Sequence, residues 1–320
     1  MITNIFNEWQ TSKLGLGTYN LSPDKGTTKE EAQNILLKAS ELGINILDTA
    51  PLYGGGYVEC LIGDTIKHSN MKIINKLGRF ESLAYKKNWE DAYNNEFMIK
   101  SQFDFSLRLL NRECVDMLLI HEADWNIWWK KGFTTSAILN VLEKLKKEGL
   151  VKKIGISLRN PYKAKELCES GLFDSVLFVH YYNILWQDSK NIFFDSAKKN
   201  NMGITIGTPF KQGLLVNRNE NFMRVLTAKP PKDLTPNLLK RLKKIHEISE
   251  KYNTEMPELS LRYLVSDSDV DVIFAGPRNL KELEINHSIV SKGPLSNQIL
   301  EEIYDLQKIP LEENYNYEKV

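Results

Sequence analysis

Short apolar runs alternate along the chain with longer segments whose apolar residues recur every three or four positions. The runs at 13–17, 44–47, 71–75, 115–120, 152–156, 175–179, 204–207 and 270–275 have the length of buried strands. Helix signals stand between them. Thr28-Lys29-Glu30-Glu31 reads as a capping box, followed by Ile35, Leu36, Ala39 and Leu42 on one face and Gly43 as a stop. The segment 135–148 carries Ile138, Val141, Leu142 and Leu145 at helical spacing, with Thr135 at its start and Gly149 closing it. Thr235 before Pro236 places a cap ahead of a proline at the first helical position, and Leu238, Leu242, Ile245 and Ile248 follow. Strands alternating with helices in this way predict an α/β fold, a (β/α)8 TIM barrel, with an open doubly wound sheet as the alternative.

Length agrees with that prediction: 320 residues suit one barrel domain spanning 1–320. One stretch is out of proportion. The segment 216–235 contains Arg218, Arg224, Lys229, Pro230, Pro231 and Lys232 and shows no clear period. A connection of about 20 residues is unusually long for a compact domain, so it reads either as a lid at the barrel mouth or as a plain surface loop.

Charge removes several function classes. Lys plus Arg number 42 and Asp plus Glu 41, a net charge of +1, so no general field attracts nucleic acid. No apolar run reaches the roughly 18 residues of a membrane span. The N-terminal Met1-Ile2-Thr3-Asn4 lacks the basic start of a secretory signal. Cys60, Cys114 and Cys168 are odd in number and far apart, which reads as reduced thiols in a cytoplasmic protein.

Polar residues cluster where the predicted strands end: Asp48, Lys76, His121 and Ser157. In a (β/α)8 barrel the C-terminal strand ends form the active face, so ionisable groups there read as chemistry. Each alone has a plain explanation as a turn residue, a solvated lysine or a semi-buried histidine. Together, at successive strand ends, they form a constellation. Neither His121-Glu122 nor His246-Glu247 extends to a zinc motif, so no metal is expected. Gly15-Leu16-Gly17 lacks a third glycine and an opening helix, which excludes a Rossmann reading.

The local sequences carry a resemblance. Gly43-Ile-Asn-Ile-Leu-Asp48-Thr49-Ala50-Pro51-Leu52-Tyr53-Gly54, with Glu59 and Gly63 following, resembles the signature of the aldo-keto reductase superfamily. Lys76 closing Lys72-Ile-Ile-Asn-Lys and His121 closing its own run match further landmarks. So do Ile156-Ser157, Tyr182-Asn183, Pro209-Phe210-Lys211-Gln212-Gly213, and Gly276-Pro277-Arg278 with Asn286. Order and spacing hold from Lys13 to Asn286. The resemblance implies a (β/α)8 barrel and reversible hydride transfer between a nicotinamide cofactor and a small carbonyl or alcohol, a sugar included. It implies Tyr53 as general acid, Lys76 as the cation that lowers the phenol's pKa, Asp48 as the anchor of Lys76, and His121 as a hydrogen-bond donor to the substrate oxygen. Catalytic acids work best with a pKa near the operating pH, and free tyrosine titrates near 10.

The resemblance also implies a cofactor groove formed by Ser157, Thr208, Pro209, Phe210, Gln212, Gly213, Gly276, Arg278, Glu282 and Asn286. Arg278 favours NADP, while Glu282, which suits a ribose hydroxyl, keeps NAD as the close alternative. Three departures stand out. Leu158 replaces an asparagine, Val179 a glutamine, and Gly207 the aromatic that stacks on the nicotinamide, so other groups must hold that ring. After His121, the run Glu122-Ala-Asp124-Trp125-Asn-Ile-Trp128-Trp129 reads in two ways. Trp125 and Trp128 either line a substrate wall, with Glu122 and Asp124 suited to a polyhydroxylated ligand, or pack the loop onto a helix. Two other classes compete: a non-catalytic, cofactor-binding regulatory subunit, and a lyase forming a Schiff base at Lys76.

Overall fold

The computed structural model describes residues 1–5, 8–80, 89–216, 226, 228, 230–312 and 315–317. A hairpin comes first: β1 (Ile2–Ile5) pairs antiparallel with β2 (Trp9–Ser12). Eight parallel strands then close into a barrel. They are β3 (Leu14–Gly17), β4 (Ile46–Asp48), β5 (Lys72–Leu77), β6 (Val115–His121), β7 (Val151–Leu158), β8 (Ser175–Val179), β9 (Gly203–Gly207) and β10 (Val272–Ala275), with β10 pairing to β3 and β9. Each of the eight apolar runs supplies one barrel strand. Asp48, Lys76, His121 and Ser157, placed by the sequence at strand ends, lie within the strands because their backbones continue the ladder. Asp48 pairs with Ile74, Lys76 with Leu119, and His121 with Ser157.

Two cores follow from this closure. Ile46, Ile74, Met117, Leu119, Leu177, Val272 and Phe274 fill the barrel interior, with Trp9 packed against them. A second, larger core lies between the strands and the surrounding helices. Side chains alternate faces along a strand, so the residue two positions beyond an inward one also points inward. That arithmetic builds the site. Asp48 follows Ile46, Lys76 follows Ile74, and His121 follows Leu119, each one step above the apolar plug. Gly15 and Gly155 make room for that plug: a Cβ at Gly15 would lie 2.4 Å from the Phe274 ring, and one at Gly155 would lie 2.7 Å from Leu119 Cδ2.

The helix caps behave largely as the sequence predicts. Thr28 accepts a hydrogen bond from Glu31 N at 3.2 Å and opens the helix Lys29–Glu41. Thr235 caps Pro236–Lys251 through Leu238 N at 3.4 Å. The helix read over 135–148 runs Ala137–Lys147, with Ser136 at the N-cap position making no side-chain cap hydrogen bond and the Thr135 hydroxyl donating back to Lys131 O. The hairpin β1–β2, unread from the sequence, leads into Lys13, which is buried and donates its ammonium to the carbonyls of Asp267 and Val270. Most of the long segment 216–235, including Arg218, Arg224 and Lys229, lies outside the described residues, and so do the lid and surface-loop readings of it. Among the described residues, no helix is long and apolar enough to cross a membrane.

The helix Tyr57–Ile66 approaches Glu96–Leu110 so closely that a Cβ on Gly63 would stand 2.2 Å from the Leu109 carbonyl oxygen. Gly63→Ala therefore reverses the usual helix preference. Replacing glycine by alanine inside a helix normally stabilises by about 1 kcal/mol. Here backbone must shift, and the variant is predicted to lose roughly 1–3 kcal/mol instead. Urea denaturation reads the sign directly: a midpoint at or above that of the parent contradicts this packing.

Candidate active site

The mouth of the barrel gathers Asp48, Lys76, Tyr53 and His121. Lys76 is almost wholly buried, and its ammonium spends its three protons on three acceptors. One is the Asp48 carboxylate, one the Thr49 carbonyl at 3.0 Å, and one the Tyr53 hydroxyl at 3.0 Å. The Tyr53 hydroxyl in turn donates to Asp48 Oδ2 at 3.3 Å. Asp48 is itself fixed by its backbone, whose carbonyl accepts from Thr18 N and Thr18 Oγ1 at 3.1 and 2.8 Å.

Tyr53 reaches this place through an unusual turn. Gly54, Gly55 and Gly56 have φ of 60°, 62° and 91°, a left-handed run that turns the chain from β4 into the helix Tyr57–Ile66. Glycine supplies that conformation without steric cost. The Lys76 ammonium also lies 4.8 Å from the phenol ring centre, and Tyr19 packs edge-on against the ring.

Burial dominates the electrostatics. It pushes Asp48 up and Lys76 down, and each is opposed by the charge of the other. Tyr53 stands well above the ordinary tyrosine value, first through burial and then through the Asp48 carboxylate it faces. In this arrangement burial and the Asp48 carboxylate outweigh the lowering that the sequence assigned to Lys76, whose ammonium Asp48 shares. His121 is held well below its ordinary value by burial and by Lys76, Arg79 and Arg159. It is a neutral ring, with Nδ1 buried and without a hydrogen-bond partner among the described residues.

The tryptophan run divides. Trp128 is fully buried against Phe80 and Tyr93, and its indole N–H donates to the His121 carbonyl at 3.0 Å. That corrects its placement on a substrate wall: it packs the loop and fixes the backbone of His121. Trp129 donates to Ala123 O at 2.9 Å and packs on Phe133. Trp125 is half-buried, with the Arg79 guanidinium 5.2 Å from its ring centre. Asp124 accepts from the backbone N–H groups of Arg159 and Asn160 at 3.1 and 3.0 Å, and Glu122 pairs with Arg79 and Arg159. The two carboxylates expected to meet sugar hydroxyls are thus engaged by the protein.

The remaining sequence-predicted residues lie at the ends of β7, β9 and β10. Ser157 is buried near the end of β7. After β9, Thr208, Lys211 and Gln212 adopt left-handed backbone in a turn through Pro209, Phe210 and Gly213. Beyond β10, Asn20 Nδ2 donates to Gly276 O at 2.7 Å. Arg278 is exposed and donates to Glu282 through its backbone N–H at 2.9 Å and its guanidinium at 2.6 Å. Asn286 is buried on the helix Leu280–Ser291.

Sequence reasoning missed His180, Arg79 and Arg159. His180 follows β8 directly with φ of 68°, and its Nδ1 is buried without a hydrogen-bond partner among the described residues. Position just beyond a barrel strand was the signal available for all three.

A family model described as the aldo/keto reductase family matches residues 13–308. Pyridoxal 4-dehydrogenase from Microbacterium luteolum is 23% identical over 85% of this chain and 87% of its own. L-glyceraldehyde 3-phosphate reductase from Escherichia coli strain K12 is 26% identical over 86% and 83%. Among solved structures, the holo form of aldo-keto reductase AKR11C1 from Bacillus halodurans superposes with a TM-score of 0.79 at 24% identity, covering 98% of both chains.

Behind Lys76, on the outer face of β5, sits a second buried carboxyl. Glu59 is fully buried and accepts from Asn75 Nδ2 at 2.8 Å, while Asn75 Oδ1 accepts from Lys76 N at 2.8 Å. Burial raises Glu59 to about 7, with Asn75 and the Lys76 charge opposing. Its ordinary value is 4.5, so between pH 4.5 and 7 the folded chain holds a proton that the unfolded chain has lost. Stability from this group therefore falls as pH rises through that window, by roughly 3 kcal/mol in all. Glu59→Gln removes the titration. Its melting temperature relative to the parent is predicted to rise from pH 5 to pH 8; a pH-independent difference contradicts the assignment.

Proposed function

The chain belongs to the aldo/keto reductase family, and from that premise we propose that Tyr53, Lys76, Asp48 and His121 carry its oxidoreductase chemistry on a small carbonyl or alcohol, sugars included. The observation that supports this most strongly is the single hydrogen-bonded cluster in which the Lys76 ammonium joins Asp48 and the Tyr53 hydroxyl.

A bound nicotinamide dinucleotide supplies the hydride in reduction and accepts it in oxidation. The protein's own part is the proton. The Tyr53 phenol gives its proton to the carbonyl oxygen as that oxygen gains charge, and Lys76 stabilises the phenolate left behind. Asp48 holds Lys76 in line. His121, kept neutral, has one ring N–H to donate to the substrate oxygen and orients it. In the oxidative direction the same groups act in reverse.

The residues suit a dinucleotide. Gly17 and Gly276 bring the ends of β3 and β10 together backbone to backbone: a Cβ on Gly276 would lie 3.3 Å from Gly17 O. His180 Nδ1, buried and without a hydrogen-bond partner among the described residues, stands next to Val179, where the family's usual glutamine is missing, and offers a substitute contact for the nicotinamide ring. Ser157, Thr208, Pro209, Phe210, Gln212, Gly213, Gly276, Arg278, Glu282 and Asn286 would hold the rest. NADP(H) is the favoured form and NAD(H) the alternative. Glu282 engages Arg278 in the present structure, but an exposed pair is worth only about 0–1 kcal/mol and yields readily to a phosphate. A cytoplasmic location and a single domain over 1–320 complete the reading, with nucleic acid and membrane unneeded as partners. The relatives named above, a dehydrogenase of pyridoxal and a reductase of L-glyceraldehyde 3-phosphate, support a small aldehyde or its alcohol as substrate.

Two tests follow. Tyr53→Phe removes the proton donor alone and is predicted to lower kcat by about 10²- to 10⁴-fold with dinucleotide still bound. Steady-state kinetics with a panel of aldehydes, ketones and sugars, alongside dinucleotide titration, decides it; near-parental kcat makes Tyr53 the wrong acid. Arg278→Ala should weaken NADPH more than NADH, and Glu282→Gln should tighten NADPH. Calorimetric affinities measure both effects, and a parent that prefers NADH reverses the cofactor choice.

A further inference from the structure

Three charged side chains stand just beyond adjacent strand ends: Arg79 after β5, Glu122 after β6 and Arg159 after β7. The Glu122 carboxylate lies between the two guanidiniums, 3.4 Å from Arg79 Nη1 and 2.6 Å from Arg159 Nη2. None of the three is loosely held. Arg79 adopts φ of 57° and Glu122 φ of 53°, left-handed backbone that costs a non-glycine residue free energy and marks an imposed geometry.

The imposing contacts are visible. Gln102 clamps Gly78 from both sides, accepting from Gly78 N at 2.8 Å and donating to Gly78 O at 2.9 Å, and the Arg79 N–H donates to the Tyr93 hydroxyl at 3.1 Å. Trp125 lies against the Arg79 guanidinium, and Asp124 holds the Arg159 backbone N–H. The side chains remain 25%, 13% and 13% exposed for Arg79, Glu122 and Arg159. The three stand beside the reacting centre: Glu122 follows His121 directly, and Arg159 lies two residues past Ser157, which pairs with His121 in the sheet.

We propose that Arg79 and Arg159 form a fixed clamp for an anionic group on the substrate, a carboxylate or phosphate borne by the carbonyl compound, which takes the place that Glu122 holds between them. This deepens the hydride-transfer reading above and rests on it. Guanidinium groups match the planar or tetrahedral oxygens of such anions with paired N–H donors, and a pair already held in place loses little freedom on binding. The Glu122 carboxylate marks the geometry: its two oxygens each meet one guanidinium, as an incoming anion would. Neutral sugars find less here, because Asp124 and Glu122 are engaged by the protein.

Matched aldehydes test the clamp. Succinic semialdehyde is compared with butanal for the carboxylate, and glyceraldehyde 3-phosphate with glyceraldehyde for the phosphate, each by kcat/KM with NADPH and NADH at fixed ionic strength. The parent is predicted to favour at least one anion over its uncharged counterpart by about 10- to 100-fold, the factor that a hydrogen bond to a charged group carries. Whichever pair shows the preference identifies the anion. In Arg159→Gln and Arg79→Gln the ratio of charged to uncharged kcat/KM should collapse towards one. In Glu122→Gln it should rise, since the internal competitor is gone. The opposite signs keep the test decisive if one variant fails to fold. Equal kcat/KM for charged and uncharged partners in the parent, or a preference that survives in the arginine variants, overturns the clamp while leaving the hydride-transfer reading intact. Absence of turnover for all four aldehydes overturns that reading, and the clamp with it.

Discussion

A lysine ammonium buried at the top of a hydrocarbon plug is the constraint around which this protein is arranged. Removing an ammonium and a carboxylate from water costs several kcal/mol each, and their attraction offsets this only when the geometry and the remaining hydrogen bonds are good. Lys76 meets that condition with three acceptors for three protons. The same condition explains why the cluster contains a tyrosine. Without the Tyr53 hydroxyl the third proton would be left without its acceptor, and without Lys76 the buried Asp48 charge would stand uncompensated beside the Tyr53 hydroxyl that donates to it.

The barrel makes the cluster possible by register. Asp48, Lys76 and His121 come from three neighbouring strands, and each lies two residues past an interior apolar side chain. A one-residue slip of β5 would send Lys76 into the outer layer and bring Asn75 inward. The outer layer holds its own polar group, Glu59, and the two faces of β5 communicate through Asn75. Function here depends on packing several residues away, because the plug of Ile46, Ile74, Leu119 and Phe274 sets the height at which the charges stand.

Much of this was legible in the sequence. The strands could be read because barrel strands are buried on both faces and appear as apolar runs. The chemical residues could be read because they interrupt those runs at their ends. The rest escaped for physical reasons. Trp128 and Trp125 belong to one residue type in one short run, yet one is core and the other faces Arg79, and composition cannot separate these. The hairpin β1–β2 lacks an apolar run and a tight-turn signal. The shift of the Tyr53 phenol is a contest between burial and two neighbouring charges, which spacing alone does not decide. Arg79 and Arg159 were passed over because arginine after a strand is ordinarily solvated, and only the fixed backbone beneath them shows otherwise.

The claim that Lys76 and Tyr53 act as one unit is open to a single direct measurement, a double-mutant cycle on single-turnover hydride transfer. The rates of Lys76→Met, Tyr53→Phe and the double variant are compared with the parent at saturating dinucleotide. Groups that act as a unit give strongly non-additive losses. The account predicts that the double variant is no slower, within about 3-fold, than the slower of the two single variants. Losses that multiply, so that the double variant shows the product of both, would contradict it and make Lys76 and Tyr53 independent contributors.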